Sequence, residues 1–570
     1  MKNYFPILDW LSKYSLNDFF GDLPAGITVG IILIPQGMAY AMIAGLPPVY
    51  GLYASLVPQI IYAILGTSRK LAVGPVAMDS LMVATGLSSM ASIGSESYIA
   101  LTIVLAFIVG VFQFIFGLLK LGFLVNFLSK PVINGFTSAA AIIIGLNQVK
   151  HLFGINLKGG KYFHELLYEL TINFGQLNKS TLFIGVVGIG IMIAIKKIAP
   201  KIPAPIVIVV GGIAVFKGFD LSEYGVKILG DIPRGLPSLA LPKLSMDMII
   251  NLLSLSLTIS MVAFMESISI SKAIEQKNQS YKVHPNRELI ALGAANIVGS
   301  FFQSYPTTGG FSRTAINDQM GAKTSISAII AAVIVGGTLL FLTPLFYYLP
   351  NAVLASIIIV AVFGLIDFSY PKRLWKNRKE EFTLLLFTFL VTLFVGITQG
   401  ISLGIGLSIL LLVVRTTKPH LAVLGKIKEK NIYKNVKRFE CVEELDDVLI
   451  VRFDSQLYFA NANYFKENIS GLIKEKGEQL KLLVLSAEGI NFIDSSAANM
   501  LRHTFDKLQK KGIKIKITNA IGPVRDIFKK SEIRKLIGEE NFHLDIGEAL
   551  ARYEDGKCGD HSHIVLQTNN

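Results

Sequence analysis

The sequence predicts an α-helical polytopic membrane protein that continues, after its last span, into a soluble α/β domain. Three observations predict it. Hydrophobic residues occupy 52% of the 570 positions and charged residues only 16%, against roughly 45–50% and 25% in soluble domains. The apolar residues concentrate before Arg415, and the remainder returns to charged, globular composition. Within the first part, apolar runs recur fourteen times, in two sets of seven.

A helix needs about 20 residues to cross the hydrocarbon layer, and a shorter apolar helix must be covered by neighbours or lie partway. The first set reads 25–44, 49–65, 75–90, 98–119, 123–146, 181–195 and 205–216. The second reads 248–270, 289–302, 312–321, 325–341, 353–366, 382–398 and 401–414. The chain then divides into an N-terminal segment 1–21, a membrane domain 22–415, a linker 416–437, a soluble domain 438–555 and a disordered tail 556–570.

The formal charge of +14 does not point to nucleic acid, because the cations cluster between apolar runs. Arg69 and Lys70, Lys120, Lys196, Lys197 and Lys201, Lys272 to Arg287, Lys323, Lys372 to Lys379, and Arg415 with Lys418 occupy alternate gaps. The positive-inside rule places those gaps and both termini in the cytoplasm, and the expected location is the plasma or bacterial inner membrane. The loops around 150–179 and 217–243, on the opposite side, also carry cations and weaken the rule locally. Cys441 and Cys558 both lie in the polar part, so no disulfide framework is implied. The N-terminus has no basic, apolar and small-residue sequence of a cleaved leader, so the first span is expected to persist.

Segments three and ten are short or polar, and each follows a Gly/Pro break: Ala72-Val73-Gly74-Pro75 and Pro306-Thr307-Thr308-Gly309-Gly310. Their equal place in the two sets is the pattern of discontinuous helices in an inverted repeat. Opposite directions through the membrane let both helix starts meet near the midplane. Unpaired amides there, at Val76 and Ala77 and at Phe311 and Ser312, together with the positive dipole ends, suit an anion. Arg313 adds a full charge. The alternative reading gives the glycines a packing role only, which their matched position argues against.

Glu266 lies inside the eighth segment and Asp79 inside the third, and intramembrane ionisable groups are functional candidates by default. Burial favours the protonated acid and a nearby cation favours the carboxylate, so either group could link proton entry to anion entry. The alternative for Glu266 is a permanent ion pair with Arg313. Asp318 and Asp367 lie near segment ends, where solvated or capping roles are expected. Gln36 and Tyr40 stand one helical turn apart and can offer hydrogen bonds to substrate oxygens, or form a polar packing stripe.

The runs Asp22-Leu23-Pro24-Ala25-Gly26, Pro35-Gln36-Gly37-Met38-Ala39-Tyr40-Ala41 and Gly45-Leu46-Pro47-Pro48-Val49-Tyr50-Gly51-Leu52-Tyr53 resemble the sulfate permease family. So do Val73 to Ala77, Pro306 to Asn317 and Arg415 to His420. The resemblance covers nearly the whole chain. It implies fourteen segments in two inverted repeats, a core domain moving against a gate domain, a homodimer, and an anion between segments three and ten. Members resembling the proton-coupled sulfate type place substrate contacts at positions matching Gln36, Tyr40, Ser312 and Arg313, and the coupling carboxylate at Glu266. Asp79 departs from the apolar or small residue expected there. It could offset part of the site's charge, bind a cation such as sodium, or face away.

Beyond residue 438, apolar runs such as Val448 to Val451 and Leu482 to Leu485 alternate with helical stretches, the pattern of a small α/β domain. Phe492-Ile493-Asp494-Ser495-Ser496-Ala497 follows a strand, opens a helix and resembles the STAS motif, in whose antagonist relatives the matching serine is phosphorylated. The alternative is that Asp494 and Ser495 only cap the helix. Cys558, Asp560, His561 and His563 have zinc-ligand types but sit in the polar tail. No phosphate-cradling loop or nucleophile–base pair points to an enzyme or a cofactor. The expected activity is secondary active sulfate transport with proton symport. Sodium-coupled bicarbonate or dicarboxylate transport, a passive anion channel, and a signalling scaffold whose STAS domain recruits a cytoplasmic protein are the alternatives.

Overall fold

The computed structural model describes residues 6–558 except 124–128, 156–162, 200–202, 243, 279–280, 365, 428–429, 431 and 441. His561, His563 and Asp560 therefore lie outside the described residues, as do the ends of the segments 1–21 and 556–570. The chain forms two compact units, 1–408 and 409–570.

Among the described residues, eight stretches are long and apolar enough to cross a membrane: Leu16–Ile43, Pro48–Leu65, Glu96–Leu118, Lys130–Phe153, Lys179–Ile198, Met246–Gln276, Ile326–Phe346 and Gln399–Thr417. Six shorter helices, Ala77–Leu87, Ala204–Gly218, Pro285–Phe301, Phe311–Gln319, Asn351–Phe363 and Lys379–Phe394, complete the set of fourteen. The third and tenth are the half-length pair expected after the Gly/Pro breaks.

The packing obeys a seven-segment shift. The first segment packs on the eleventh as the eighth packs on the fourth, the fourth on the ninth as the eleventh on the second, and the fifth on the thirteenth as the twelfth on the sixth. Segments one to four and eight to eleven thereby form one bundle, and five to seven with twelve and thirteen a second. In the first bundle backbones nearly touch. A methyl group added to Gly293 would stand 2.5 Å from the Phe114 nitrogen and 2.7 Å from the Gly110 oxygen, the small-residue seam by which apolar helices approach in lipid.

Several boundaries differ from the sequence reading. The fifth helix runs Lys130–Phe153, because Pro131 suits a first turn and left-handed Gly154 ends it, whereas apolarity alone pointed to 123–146. The second segment breaks into Pro48–Ala54 and Val57–Leu65. The expected loop 150–179 contains a helix, Phe163–Asn173. Asp367 accepts from the Ser369 and Tyr370 amides at 2.9 and 3.1 Å, the capping role expected for it. Asp318 is neither solvated nor a cap: it is buried against Lys70 Nζ at 2.7 Å.

In the second unit, strands Leu421–Ile427, Val448–Phe453, Leu482–Ser486, Lys514–Thr518 and Phe542–His543 lie side by side, the last four mutually parallel and the first antiparallel to its neighbour. Tyr433–Asn435 and Val442–Glu443 pair with Leu421–Ile427. The helices Ala462–Lys476, Ser495–Lys510 and Gly522–Lys530 bury apolar faces against the sheet. The strands Leu421–Ile427 and Tyr433–Asn435, within the stretch read from composition as linker, thus belong to the sheet. Lys426 and Lys434 are exposed, while Ala422 and Leu424 point into the core.

Candidate functional site

The two Gly/Pro breaks form short extended segments that pair antiparallel, Val73 with Gly309 and Gly74 with Thr308. The Gly310 amide adds a hydrogen bond to the Ala72 oxygen at 3.0 Å. Each segment leads directly into its half-helix, Ala77–Leu87 or Phe311–Gln319, so the two helix starts are tied together and their axes run apart. The N-cap positions are Val76 and Gly310, and neither supplies a side-chain cap. The first-turn amides at both tips therefore keep unused donors.

Polar side chains buried in the apolar bundle hold this crossing in place. Ser267 Oγ accepts from the Gly309 amide at 2.8 Å and lies 2.7 Å from Thr308 Oγ1, which donates to the Ala263 oxygen at 2.5 Å. Asn296 brackets Thr307, accepting from its amide at 2.8 Å and donating to its oxygen at 3.0 Å, and its amide also reaches Gln113 at 3.1 Å. Thr314 Oγ1 accepts from the Ala72 amide at 3.1 Å, and Asn317 donates to the Lys70 oxygen at 2.9 Å. The sequence reading did not single out these residues. Isolated Asn, Gln and Ser in otherwise apolar segments were the available signal, since each must find a partner there.

Arg313 is 1% exposed. Its Nη1 donates to the Pro75 oxygen at 2.7 Å, bridging from the tenth segment to the threshold of the third, while Nε and Nη2 have no partner. The guanidinium folds over its own helix start, where a methyl group on Gly310 would come within 2.6 Å of Cζ. Glu266 Oε2 is likewise buried without a partner. Among the described residues no ion pair within 4.0 Å joins Glu266 to Arg313, although their charges interact at longer range. The permanent-pair alternative is thus absent from this conformation.

Asp79 is fully buried one turn into the third segment, and neither carboxyl oxygen has a hydrogen bond. Its charge interacts with that of Glu266. Tyr305, also fully buried, lies 3.2 Å from Ser80 Oγ through its hydroxyl and interacts with Arg313 and Asp79. Gln36 and Tyr40 are buried on the first helix, which packs against both half-helices. Gln36 Oε1 has no partner, and Tyr40 lies within electrostatic range of Arg313 and Glu266. Val76 is partly buried and Ala77 fully buried, but Phe311 is 66% exposed and Ser312 is exposed. The tips are therefore covered on the Arg313 side and exposed on the Phe311 side.

In the second unit, Asp494 accepts from the Ala497 amide at 2.8 Å as N-cap of Ser495–Lys510 and from the Phe459 amide at 2.9 Å. Ser495 is exposed at the first position of that helix. The Asp494 capping alternative accounts for these bonds.

Residues 19–388 match the sulfate permease family, and residues 441–549 match the STAS domain. The chain belongs to the sulfate permease family. Among the relatives of this sulfate permease is "Sulfate transporter 4.1, chloroplastic" of Arabidopsis thaliana, 37% identical over 96% of this chain and 82% of the relative. Another is "High affinity sulfate transporter 2" of Stylosanthes hamata, 34% identical over 96% of this chain and 86% of the relative. The murine Solute Carrier 26 family member A9 anion transporter, solved in the inward-facing state, superposes with a TM-score of 0.89 at 25% identity, covering 97% of this chain and 94% of that one. The permease is a multi-pass membrane transport protein and not an enzyme.

Proposed function

We propose that this permease is a secondary active sulfate transporter of the plasma membrane, driven by proton symport through Glu266. Sulfate is held between the helix starts at Val76–Ala77 and Phe311–Ser312, with Arg313, Gln36 and Tyr40 as side-chain partners. The names of the plant relatives support the substrate. The observation that carries the reading is the pair of uncapped helix starts tied tip to tip, beside buried and unpartnered donors of Arg313.

A charge count explains the coupling. Each helix start contributes roughly half a positive charge, so the two tips and Arg313 together offset about two negative charges, those of one sulfate. Ionised Glu266 and Asp79 would each oppose the dianion in a setting where water screens poorly. Protonation of Glu266 removes one opposing charge, and a cation on Asp79 removes the other. Sulfate and proton thus enter together because each lowers the electrostatic cost of the other.

Proteoliposomes test this. Sulfate uptake is expected to rise with an inward proton gradient, and Glu266→Gln to retain exchange while losing the response to that gradient. Uptake that ignores the gradient in the unaltered protein would sink the coupling. Asp79 favours one second reading, sodium coupling with bicarbonate or a dicarboxylate as substrate, since two buried carboxylates can share a sodium ion. Uptake of each anion at fixed pH with and without sodium separates the two. Both termini are assigned to the cytoplasm, the protein to a homodimer, and the STAS domain to a cytoplasmic partner. Labelling of single cysteines in the outer gaps checks the orientation.

A further inference from the structure

The second unit contains a cavity of about 370 Å³ that the transport reading does not use. Its walls include His420, Lys434, Arg438, Arg452 and Asp454, with Phe439 at one side. Asp454 is fully committed: Arg452 Nε donates to one of its oxygens at 2.6 Å, and His420 Nδ1 lies 2.8 Å from the other. Partial burial acts to raise the affinity of Asp454 for a proton, but hydrogen bonds from Arg452 and His420 outweigh it and hold the carboxyl below its ordinary value. It remains an anion occupied with two partners. Lys434 and Arg438 are exposed and have no acidic partner among the described residues. Among the described residues, Glu488 approaches Arg452 alone, at 3.9 Å. Leaving His420 aside, the lining carries three cations against one carboxylate, and two of the cations have no acidic partner among the described residues.

Its place in the chain narrows the ligand. His420 stands three residues beyond Thr417, the end of the last membrane helix, and three residues reach at most about 10 Å. Residues 409–417 of that helix belong to the same compact unit as the cavity. Ile409, Leu410, Leu412, Val413 and Val414 are exposed there as a lipid-facing surface. Asn461 donates to the Thr416 oxygen at 3.2 Å, and the Asp454 amide to the His420 oxygen at 3.0 Å, so helix end and cavity wall are fastened together. A free cationic cavity at this distance from a bilayer-embedded helix meets lipid phosphate at high local concentration.

We propose that this cavity binds the phosphate group of an anionic phospholipid, with Lys434, Arg438 and Arg452 as its donors. The free lysine and arginine supply attraction, and Arg452, oriented by Asp454, supplies a fixed planar donor edge. The site lies outside the transport machinery and stands or falls separately from the sulfate reading.

The full chain in phosphatidylcholine nanodiscs containing increasing phosphatidylglycerol tests this, with amide hydrogen exchange of residues 432–439 as the readout. Slowed exchange in the unaltered protein is expected. In Lys434→Gln/Arg438→Gln the midpoint of the titration should rise about 30-fold, as two basic side chains near an anionic surface imply. Sulfate uptake by the double variant provides the check on folding. No slowing in the unaltered protein, or an unshifted midpoint in an active double variant, overturns the proposal. Glycerol 3-phosphate added to pure phosphatidylcholine discs tests the other source. Protection by it with none from phosphatidylglycerol would assign the cavity to a soluble phosphate and overturn the lipid.

Discussion

Arg313 concentrates the chemistry of the site in one side chain. It spends Nη1 on the Pro75 oxygen, 2.7 Å away, and keeps two other nitrogens free. A lysine there retains the charge but cannot both hold that oxygen and present a planar edge to sulfate. Arg313→Lys is expected to reduce sulfate uptake at limiting substrate about 10–100-fold, the range for losing a hydrogen bond to a charged group. Uptake initial rates across sulfate concentrations measure it. Asp79 offers a second residue-scale prediction from the charge count. Asp79→Asn should remove one coupling cation per sulfate, so that transport carries net charge where the unaltered protein carries less. Currents in planar bilayers, read beside tracer flux, decide the ratio, and an unchanged charge-to-sulfate ratio would remove Asp79 from coupling. Sequence showed that these residues are charged and intramembrane. Their unpaired atoms were not legible, because hydrogen-bond saturation depends on neighbours hundreds of positions away.

At the scale of elements, the half-helices are positioned by the helices behind them. The seam between the fourth and ninth segments brings Gly110 and Gly293 backbone to backbone, and Asn296, less than one turn beyond Gly293, grips Thr307 at the tenth-segment break. Gly293→Leu should therefore separate the seam and displace the crossing. A stability loss of about 1–3 kcal/mol or more is expected from overpacking, seen as a lowered thermal midpoint in detergent together with weaker sulfate uptake. The breaks themselves were readable, because Gly and Pro interrupt a helix wherever they fall. The helix Phe163–Asn173 and the shifted start at Lys130 were not, since a hydropathy run registers affinity for lipid and does not register where a proline permits the first turn.

At the scale of the whole molecule, the chain divides into its two units within the last helix, between residues 408 and 409. The strand Leu421–Ile427 sits inside the sheet, paired on one side with Val448–Phe453. Removing residues 438–570 would strand it with Ala422 and Leu424 uncovered and a long unpaired edge, a template for aggregation. Removing 418–570 takes the strand away with its domain. Size-exclusion profiles are expected to show aggregation of the first truncation and a larger monodisperse fraction of the second, with uptake following that fraction.

By itself the sequence determined the fourteen apolar segments, their division into sevens, the two breaks at equal places and the α/β domain that follows, because transfer into lipid, helix interruption and strand alternation are local properties of the chain. Only the tertiary structure decided that the breaks pair as strands, that Arg313 reaches across to Pro75 while Glu266 does not hold it, and that a cationic cavity lies beside the last helix. Those outcomes arise from contacts between residues far apart in sequence, where each donor's availability depends on which acceptors the fold brings near it.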